Sequence, residues 1–412
     1  MNLKILHTSD WHLGQALWGR ERIEEHQLFL DWLLGHLRQE AEQEKPYDLL
    51  LVAGDVFDSN NPPGEARAQY HRFLARLYHG GHCRNVVVVA GNHDSTLSLD
   101  ATREILAELN VKVVGQSVSP ADDLHTLRGD HGQPIGLICC APFLRGSAIT
   151  LQPEVPLAQC IRESTSRYYQ EALQAAREQR ETLGLPELPI LATGHLWATG
   201  AKVGGSEREI QVGQLDHFGA EDFAGFDYVA LGHIHLPQQV GQSEAIQYCG
   251  SPLALSFAEV THAHQVLAVE VGQGVAKAVP VEVPCQRKLL CFEGEPAQVF
   301  EFLSVQGQRD QSAEILVPWL ELKVFLSTLD VSLTTRLREA SREANVDIVK
   351  QHMETPEIRA RLDLMQAQAR TTEQLTPLSV FKILLDGQPN LAPQLLETFN
   401  ELLATMPLEV QP

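Results

Sequence analysis

Apolar runs along this chain repeatedly end in the same kind of polar signature. Lys4 to Thr8 reads as a short strand and runs into Ser9-Asp10-Trp11-His12. Residues Arg20 to Glu44 carry Ile23, Leu30, Leu33, Leu34 and Leu37 at helical spacing, which predicts an amphipathic helix. Leu50-Leu51-Val52-Ala53 predicts a buried strand, and it leads into Gly54-Asp55 with Asp58 three residues on. Pro62-Pro63-Gly64 is a break, and Glu65 to His79 predicts a second helix. Val86 to Ala90 is a strand that enters Gly91-Asn92-His93-Asp94, and a third helix is expected over about Leu99 to Leu109. From Leu124 to Phe143 the pattern changes to short apolar runs with turns, as in antiparallel strands. A long polar helix fits Leu157 to Leu183, with Pro186 and Pro189 beyond its end. Ile190-Leu191-Ala192 and Tyr228-Val229-Ala230-Leu231 are two further strands, both followed closely by Gly-His. Val266 to Val271 and Val275 to Val283, joined through Gly272-Gln273-Gly274, predict a hairpin.

Strands alternating with helices argue for an α/β fold with a layered core. The 412 residues exceed what one core holds, so two or three domains are expected. A boundary is placed near Pro284. Beyond it, strand candidates at Lys288 to Phe292, Leu320 to Phe325 and Val346 to Val349 alternate with helical stretches, a small second α/β module. From about Glu354 the chain is charged and then amphipathic. Leu378, Phe381, Leu384 and Leu385 mark one helical face, and Leu391, Leu395, Leu396, Phe399, Leu402 and Leu403 another. The expected division is therefore 1–283, 284–353 and 354–412.

Composition narrows the class. Hydrophobic residues make up 44%, which excludes a mainly disordered chain. No apolar run reaches membrane-spanning length, and the N-terminus turns polar too soon for a signal peptide. The seven cysteines are odd in number and include no Cys-x-x-Cys, which disfavours a disulfide framework and a zinc ribbon. Reduced cysteines in a cytoplasmic protein are the expectation. The formal net charge of -21 argues against a protein that grips nucleic acid with its whole surface. A nuclease can still carry that charge if metal ions and a partner supply the positive field.

Five segments carry metal-ligand chemistry: Asp10-x-His12, Gly54-Asp55-x-x-Asp58, Gly91-Asn92-His93-Asp94, Gly194-His195 and Gly232-His233-x-His235. Any one of them alone is a turn or a helix cap as readily as a ligand. Together they place carboxylate, amide and imidazole groups from different strands at one rim of one sheet, where open α/β sheets bind ligands. No cysteine lies among them, and mixed oxygen and imidazole donors suit manganese, iron or zinc better than calcium. Two ions about 3.5–4 Å apart, bridged by a carboxylate, are a common arrangement for phosphate-ester hydrolysis.

In this order the five motifs resemble those of the calcineurin-like metallophosphoesterases. The opening His7-Thr8-Ser9-Asp10-Trp11-His12-Leu13-Gly14, with Gly54 to Asp58 and Gly250-Ser251-Pro252, narrows the resemblance to bacterial nucleases of that family. The resemblance implies a four-layer β-sandwich flanked by helices, a small capping domain that recognises DNA, and C-terminal helices. It implies a first metal held by Asp10, His12 and His235, a second held by Asn92, His195 and His233, and Asp55 bridging the two. Manganese is the metal expected. His93 would face the phosphate rather than a metal, and Asp58 would orient His93, with Asp94 as the second candidate for that task. It also implies a double-strand exonuclease and a single-strand and hairpin endonuclease in DNA repair and recombination. The partners implied are DNA and a coiled-coil ATPase, two copies of each chain, with the C-terminal helices docking on the ATPase and a homodimer of this chain.

The chain itself has no Gly-x-x-x-x-Gly-Lys-Ser/Thr loop, so ATP would be handled by the partner. Relatives that act on phosphoproteins continue the second motif with an Arg, whereas here it reads Asp58-Ser59-Asn60. The alternatives are a stand-alone phosphodiesterase or nucleotidase and, further off, a non-enzymatic scaffold. Outside the motifs, His7, His26, His36, His71 and His79 read as ordinary helix or strand residues. Arg20, Arg22, Arg145 and Lys202 read first as solvated surface charges and second as phosphate-backbone contacts.

Overall fold

Leu49, Leu50, Leu51 and Val52 are all fully buried, yet they alternate in what they meet. Leu50 and Val52 pack against helices, whereas Leu49 and Leu51 pack against a second sheet. A strand covered on both faces reads as a continuous apolar run, which is why this one is so visible in the sequence. The computed structural model describes residues 2–199, 201–202, 218–241, 243–272, 274–312, 315–327, 330, 332–356 and 396.

In chain order the elements are β1 (Leu3–Thr8), β2 (Ala16–Leu17), β3 (Arg20–Glu21), α1 (Ile23–Gln43), β4 (Tyr47–Ala53), α2 (Gly64–Gly80) and β5 (Cys83–Val89). Then come α3 (Thr96–Asp100), α4 (Arg103–Ala107), β6 (Val111–Val114), β7 (Leu124–Arg128), β8 (Pro134–Cys140), α5 (Leu157–Leu183) and β9 (Ile190–His195). They are followed by β10 (Tyr228–Gly232), β11 (Gln238–Val240), β12 (Ser243–Tyr248), β13 (Gln265–Gly272), β14 (Val275–Glu282) and β15 (Arg287–Gly294). The last are α6 (Pro296–Gln308), β16 (Leu316–Phe325), α7 (Leu333–Glu343) and β17 (Asp347–Glu354). The chain forms two compact units, one of the residues up to Leu289 together with Ile315 and Leu316, the other starting at Leu290, so the division falls inside β15 and again at the start of β16.

The first unit has four layers. One sheet runs β14-β13-β1-β4-β5-β6 and the other β11-β12-β10-β9-β8-β7. Between them lie Ile5, Leu51 and Val89 from the first sheet and Ile138, Leu191 and Ala230 from the second. Phe29, Leu33, Tyr70 and Phe73 of α1 and α2 cover the outer face of the first sheet. Tyr168, Tyr169 and Ala172 of α5 cover the outer face of the second. Strands β1, β4 and β5 are parallel, as are β8, β9, β10 and β12. The five motifs leave from the carboxyl ends of β1, β4 and β5 in the first sheet and of β9 and β10 in the second, so the rim expected of one sheet is shared by two that pack face to face.

Two local expectations change. The helix expected from Arg20 begins at Ile23, because Arg20 and Glu21 pair with Leu17 and Ala16 in a two-stranded hairpin. The single helix expected over Leu99 to Leu109 is two short ones. Near the break, the Asp100 carboxylate accepts from the amides of Gly115 and Gln116 and ties the turn to the end of β6.

In the second unit, sheet β15-β16-β17 packs against α6 and α7 around Val299, Leu303, Leu320, Leu322, Val324 and Leu337. Strands β16 and β17 are parallel, with α7 between them in sequence. Most of the expected C-terminal helical segment, 354–412, including both amphipathic faces apart from Leu396, lies outside the described residues.

Candidate metal centre

The five motif loops are tied to one another by main-chain groups. Leaving β1, Asp10 N donates to Gly54 O at 3.0 Å, His12 N to Asp55 O at 3.0 Å and Leu13 N to Val56 O at 2.9 Å. The Asp94 carboxylate accepts from the amides of Val56, Phe57 and Gly91 at 3.1, 2.9 and 2.8 Å, joining the loops after β4 and β5. From the second sheet, His233 N donates to Asp10 at 3.0 Å. His195 Nδ1 donates to Ala53 O at 2.9 Å.

This crowding explains the sequence pattern. A Cβ on Gly91 would lie 2.0 Å from Asp55 Oδ1, and one on Gly54 would lie 2.2 Å from His195 Nδ1. Gly54 also holds φ at +91°, a region costly for other residues. The next residue, Asp55, sits at φ +49°, and Asp10, His12 and His233 at +53°, +45° and +93°. Four non-glycine residues held in the left-handed region at one rim are strained backbone concentrated where chemistry is done.

The side chains then converge. Ligand atoms of Asp10, His12 and His235 lie within 4.8 Å of one another, as do those of Asp10, Asp55 and His195, and those of His12, Asp55 and His93. His195 Nε2 is 3.3 Å from Asp55 Oδ2 and 2.9 Å from Asn92 Oδ1. Because Nδ1 of His195 is committed to donating to a carbonyl, Nε2 of the neutral ring is a lone pair. It faces a carboxylate oxygen and an amide oxygen. Three lone pairs brought together need a cation or a proton between them. His233 Nδ1 reaches the same Asn92 oxygen at 3.0 Å. His12 Nε2 and His233 Nε2 are buried without a hydrogen-bond partner among the described residues. Buried imidazoles aimed at carboxylates, with no cysteine in any of the groups, fit a divalent metal ion.

The electrostatics agree. Burial opposes protonation of His195, but the adjacent Asp55 carboxylate outweighs it and pushes the imidazole up to about 9. Burial would raise the Asp55 carboxyl, yet the surrounding imidazoles, His195 foremost, hold it well below the usual range. His233 is pushed down to about 3 by burial and by the His195 charge, so its ring stays neutral and able to donate a lone pair.

His93 lies at the edge of this cluster, its amide donating to Asp55 Oδ1 at 2.9 Å. Asp58, the residue expected to orient it, reaches it through the main chain. Nδ1 of His93 meets the main-chain carbonyl of Asp58 at 2.7 Å, which places the hydrogen on Nδ1. The Asp58 carboxylate is 3.3 Å from His12 Nδ1. The turn from Gly54 to Asp58 brings the backbone carbonyl to that ring atom. The Asp94 carboxylate serves three amides of the neighbouring loops.

Sequence reasoning missed Glu259. It is fully buried in a 3₁₀ turn, Phe257–Glu259, and its Oε1 meets His235 Nδ1 at 3.0 Å while Oε2 accepts from Leu255 N at 2.7 Å. A carboxylate behind a ligating histidine fixes its tautomer and raises its basicity. Two arginines are also not solvated surface charges. Arg145 is half-buried, stacks over Phe143 and donates to Gly91 O at 2.6 Å. Arg22 is buried and donates to Glu25, Gln15 and Ala254 O. Arg20 and Lys202 are exposed, as expected. His7 and His26 are buried core residues, and His7 pairs with Tyr228 at 2.9 Å. A cavity of about 410 Å³ opens at the site, lined by His12, Asp58, His93, His235, Trp18 and Leu255 among others.

Comparison with known proteins agrees with this geometry. The calcineurin-like phosphoesterase family matches residues 3–237. The SbcD chain of the nuclease SbcCD from Escherichia coli K12 is 40% identical over 327 residues, covering 78% of each chain. Its Bacillus subtilis namesake is 30% identical over 356 residues, 82% of this chain and 83% of its own. That of Rhodobacter capsulatus is 36% identical over 298 residues, 69% of this chain and 70% of its own. With over half its length matched by the family and relatives this similar over most of the chain, the protein belongs to the calcineurin-like phosphoesterases and, within them, to the SbcD nucleases.

Proposed function

We propose that this chain hydrolyses DNA phosphodiesters with two divalent metal ions, manganese in the first instance, as the nuclease component of an SbcCD-type complex. The observation that carries this is the meeting of His195, Asn92 and Asp55 around one point, with Asp10, His12 and His235 grouped beside it. In this reading Asp10, His12 and His235 hold one ion, Asn92, His195 and His233 the other, and Asp55 both. Bound there, the ions would lower the pKa of a water and neutralise charge on the phosphate oxygens. His93, oriented through Nδ1–H by the Asp58 carbonyl, then faces the phosphate with Nε2; in its doubly protonated, imidazolium form it gives the Nε2 proton to the leaving oxygen and returns to the neutral Nδ1–H ring. Glu259 keeps His235 facing the site.

The rest of the proposal follows the family. Residues 1–283 form the nuclease domain, 284–353 a capping domain that recognises DNA, and 354–412 a helical segment that docks on the ATPase SbcC through its amphipathic faces. The assembly has two copies of each chain and works in the cytoplasm, in DNA repair and recombination, as a double-strand exonuclease with ATP and an endonuclease on single strands and hairpins. No helix among the described residues is long and apolar enough to cross a membrane.

The test is cleavage of hairpin and single-stranded DNA with manganese, with and without SbcC and ATP. Manganese-dependent cutting of DNA is the expected result. Hydrolysis confined to small phosphodiesters or nucleotides would instead make this a stand-alone phosphodiesterase. Deleting residues 374–412 is expected to abolish co-purification with SbcC while sparing manganese-dependent cutting of single strands. Normal co-purification would remove the docking role from that segment.

A further inference from the structure

The hairpin formed by β2 and β3 stands at the mouth of the metal centre and carries an unusual turn. Ala16 pairs with Glu21 and Leu17 with Arg20, leaving Trp18 and Gly19 as a two-residue loop. Both loop residues have positive φ, +51° at Trp18 and +76° at Gly19. Two positive φ values in a two-residue hairpin are the mark of a primed type I turn, which Asn-Gly fills at least cost. A bulky aromatic in the left-handed region is a steric outlier. Nor does burial compensate, because Trp18 is 54% exposed. The turn itself favours asparagine over tryptophan at this position.

What the structure does provide is a firm mount. At the base of the hairpin, Arg22 donates to Gln15 Oε1 at 2.6 Å and to Ala254 O at 2.7 Å, and Gln15 Nε2 donates to Leu255 O at 2.9 Å. Leu17 beside the turn is buried, and Gln15 N donates to His12 O at 3.0 Å. The hairpin is thus anchored directly to a candidate ligand loop. Trp18 lines the same 410 Å³ cavity as His12, Asp58, His93 and His235. Strain kept at such a place points to use.

We infer that Trp18 is a stacking platform for the nucleobase next to the phosphodiester being cut. The inference rests on the DNA-hydrolysis reading above and adds to it a base-dependent contact that tolerates any sequence, since every base offers a π face. A single strand, or the unpaired bases of a hairpin loop, presents such a face, whereas stacked duplex bases do not.

The experiment uses the full chain with manganese and two substrates of equal length and charge. One is a single-stranded oligonucleotide, and the other is the same backbone with tetrahydrofuran sites in place of the bases. Wild type is expected to favour the base-bearing strand in kcat/KM by about tenfold. Trp18→Asn, which suits the left-handed turn and should preserve the hairpin, is expected to remove that preference. Trp18→Phe is expected to restore much of it. A preference kept in Trp18→Asn, or absent from the wild type, overturns the inference. So does an equal loss on both substrates, which would assign Trp18 a structural role. Failure of the wild type to cut either substrate would instead mark failure of the DNA-hydrolysis reading, and the inference would fall with it.

Discussion

His93 and Glu259 show how similar contacts serve different ends. Each involves a histidine Nδ1 held by an oxygen, the Asp58 carbonyl at 2.7 Å for His93 and the Glu259 carboxylate at 3.0 Å for His235. His93 is proposed to act on the phosphate. His93→Ala is therefore expected to lower hydrolysis by about 10²–10⁴-fold. Manganese stoichiometry in calorimetry should stay unchanged, and loss of a bound ion in that variant would make His93 a ligand. Glu259 is proposed to act through His235. Glu259→Ala is expected to weaken manganese binding by about 10–100-fold. Unaltered affinity would leave the Glu259 contact structural only. At this scale the sequence displayed the ligands but not their supports. Asp10, His12 and Asp55 stand in recognisable motifs, whereas Glu259 lies in a turn with no motif and meets His235 only because β12 and the loop after it fold back beneath the site. Arg22 and Arg145 misread for the same reason, since a charged residue's burial is set by elements remote in the chain.

The elements were legible where packing leaves a periodic trace. Strands β4 and β5 are buried on both faces and appear as unbroken apolar runs. Strands β1, β9 and β10 share their grammar, an apolar run leading directly into a polar ligand loop. The structure supplies the reason for glycine in two of these endings, the close approach of one ligand loop to the next. Gly91→Ala is expected to destabilise the fold by about 1–3 kcal/mol, as overpacking does, and to weaken metal binding with it. Gly35 is a contrasting case, lying in α1 with nothing within 4 Å of an added Cβ. Gly35→Ala is expected to stabilise by about 0.5–1 kcal/mol. Chemical denaturation of the two variants checks both signs, and a neutral Gly91→Ala would undo the close-approach argument. Hairpin β2–β3 was not legible, because two residues per strand are too few to show a period. The break between α3 and α4 was hidden as well, since it coincides with a tertiary bond from Asp100 to the end of β6.

At the scale of the whole molecule, buried histidines tie stability to pH. Burial pushes His7 down to about 3, and burial together with the Arg22 charge does the same to His26. The ordinary value, 6.5, applies to both in the unfolded chain. Between about 6.5 and 3 the unfolded state binds protons that the folded state refuses, so stability rises with pH across that window. Their contribution is fully present above about pH 6.5 and is lost progressively as pH falls toward 3. Each can add up to about 1.4 kcal/mol per pH unit to the slope. His7→Asn is expected to flatten the slope measured by urea unfolding between pH 7 and 5, and an unchanged slope would remove His7 from the account.

By itself the sequence determined the class of fold, the order of most strands and helices, and the identity of the candidate ligands. These are written in local patterns: side-chain period, glycine at strand ends, and the donor chemistry of Asp, Asn and His. Tertiary structure alone decided that the Asp58 carbonyl meets His93, that Glu259 stands behind His235, that Arg22 and Arg145 are not surface charges, and that Trp18 faces the cavity. Each of those depends on a contact between segments far apart in the chain, and such contacts leave no period in the sequence because they are fixed by how the two sheets and their covering helices close on one another.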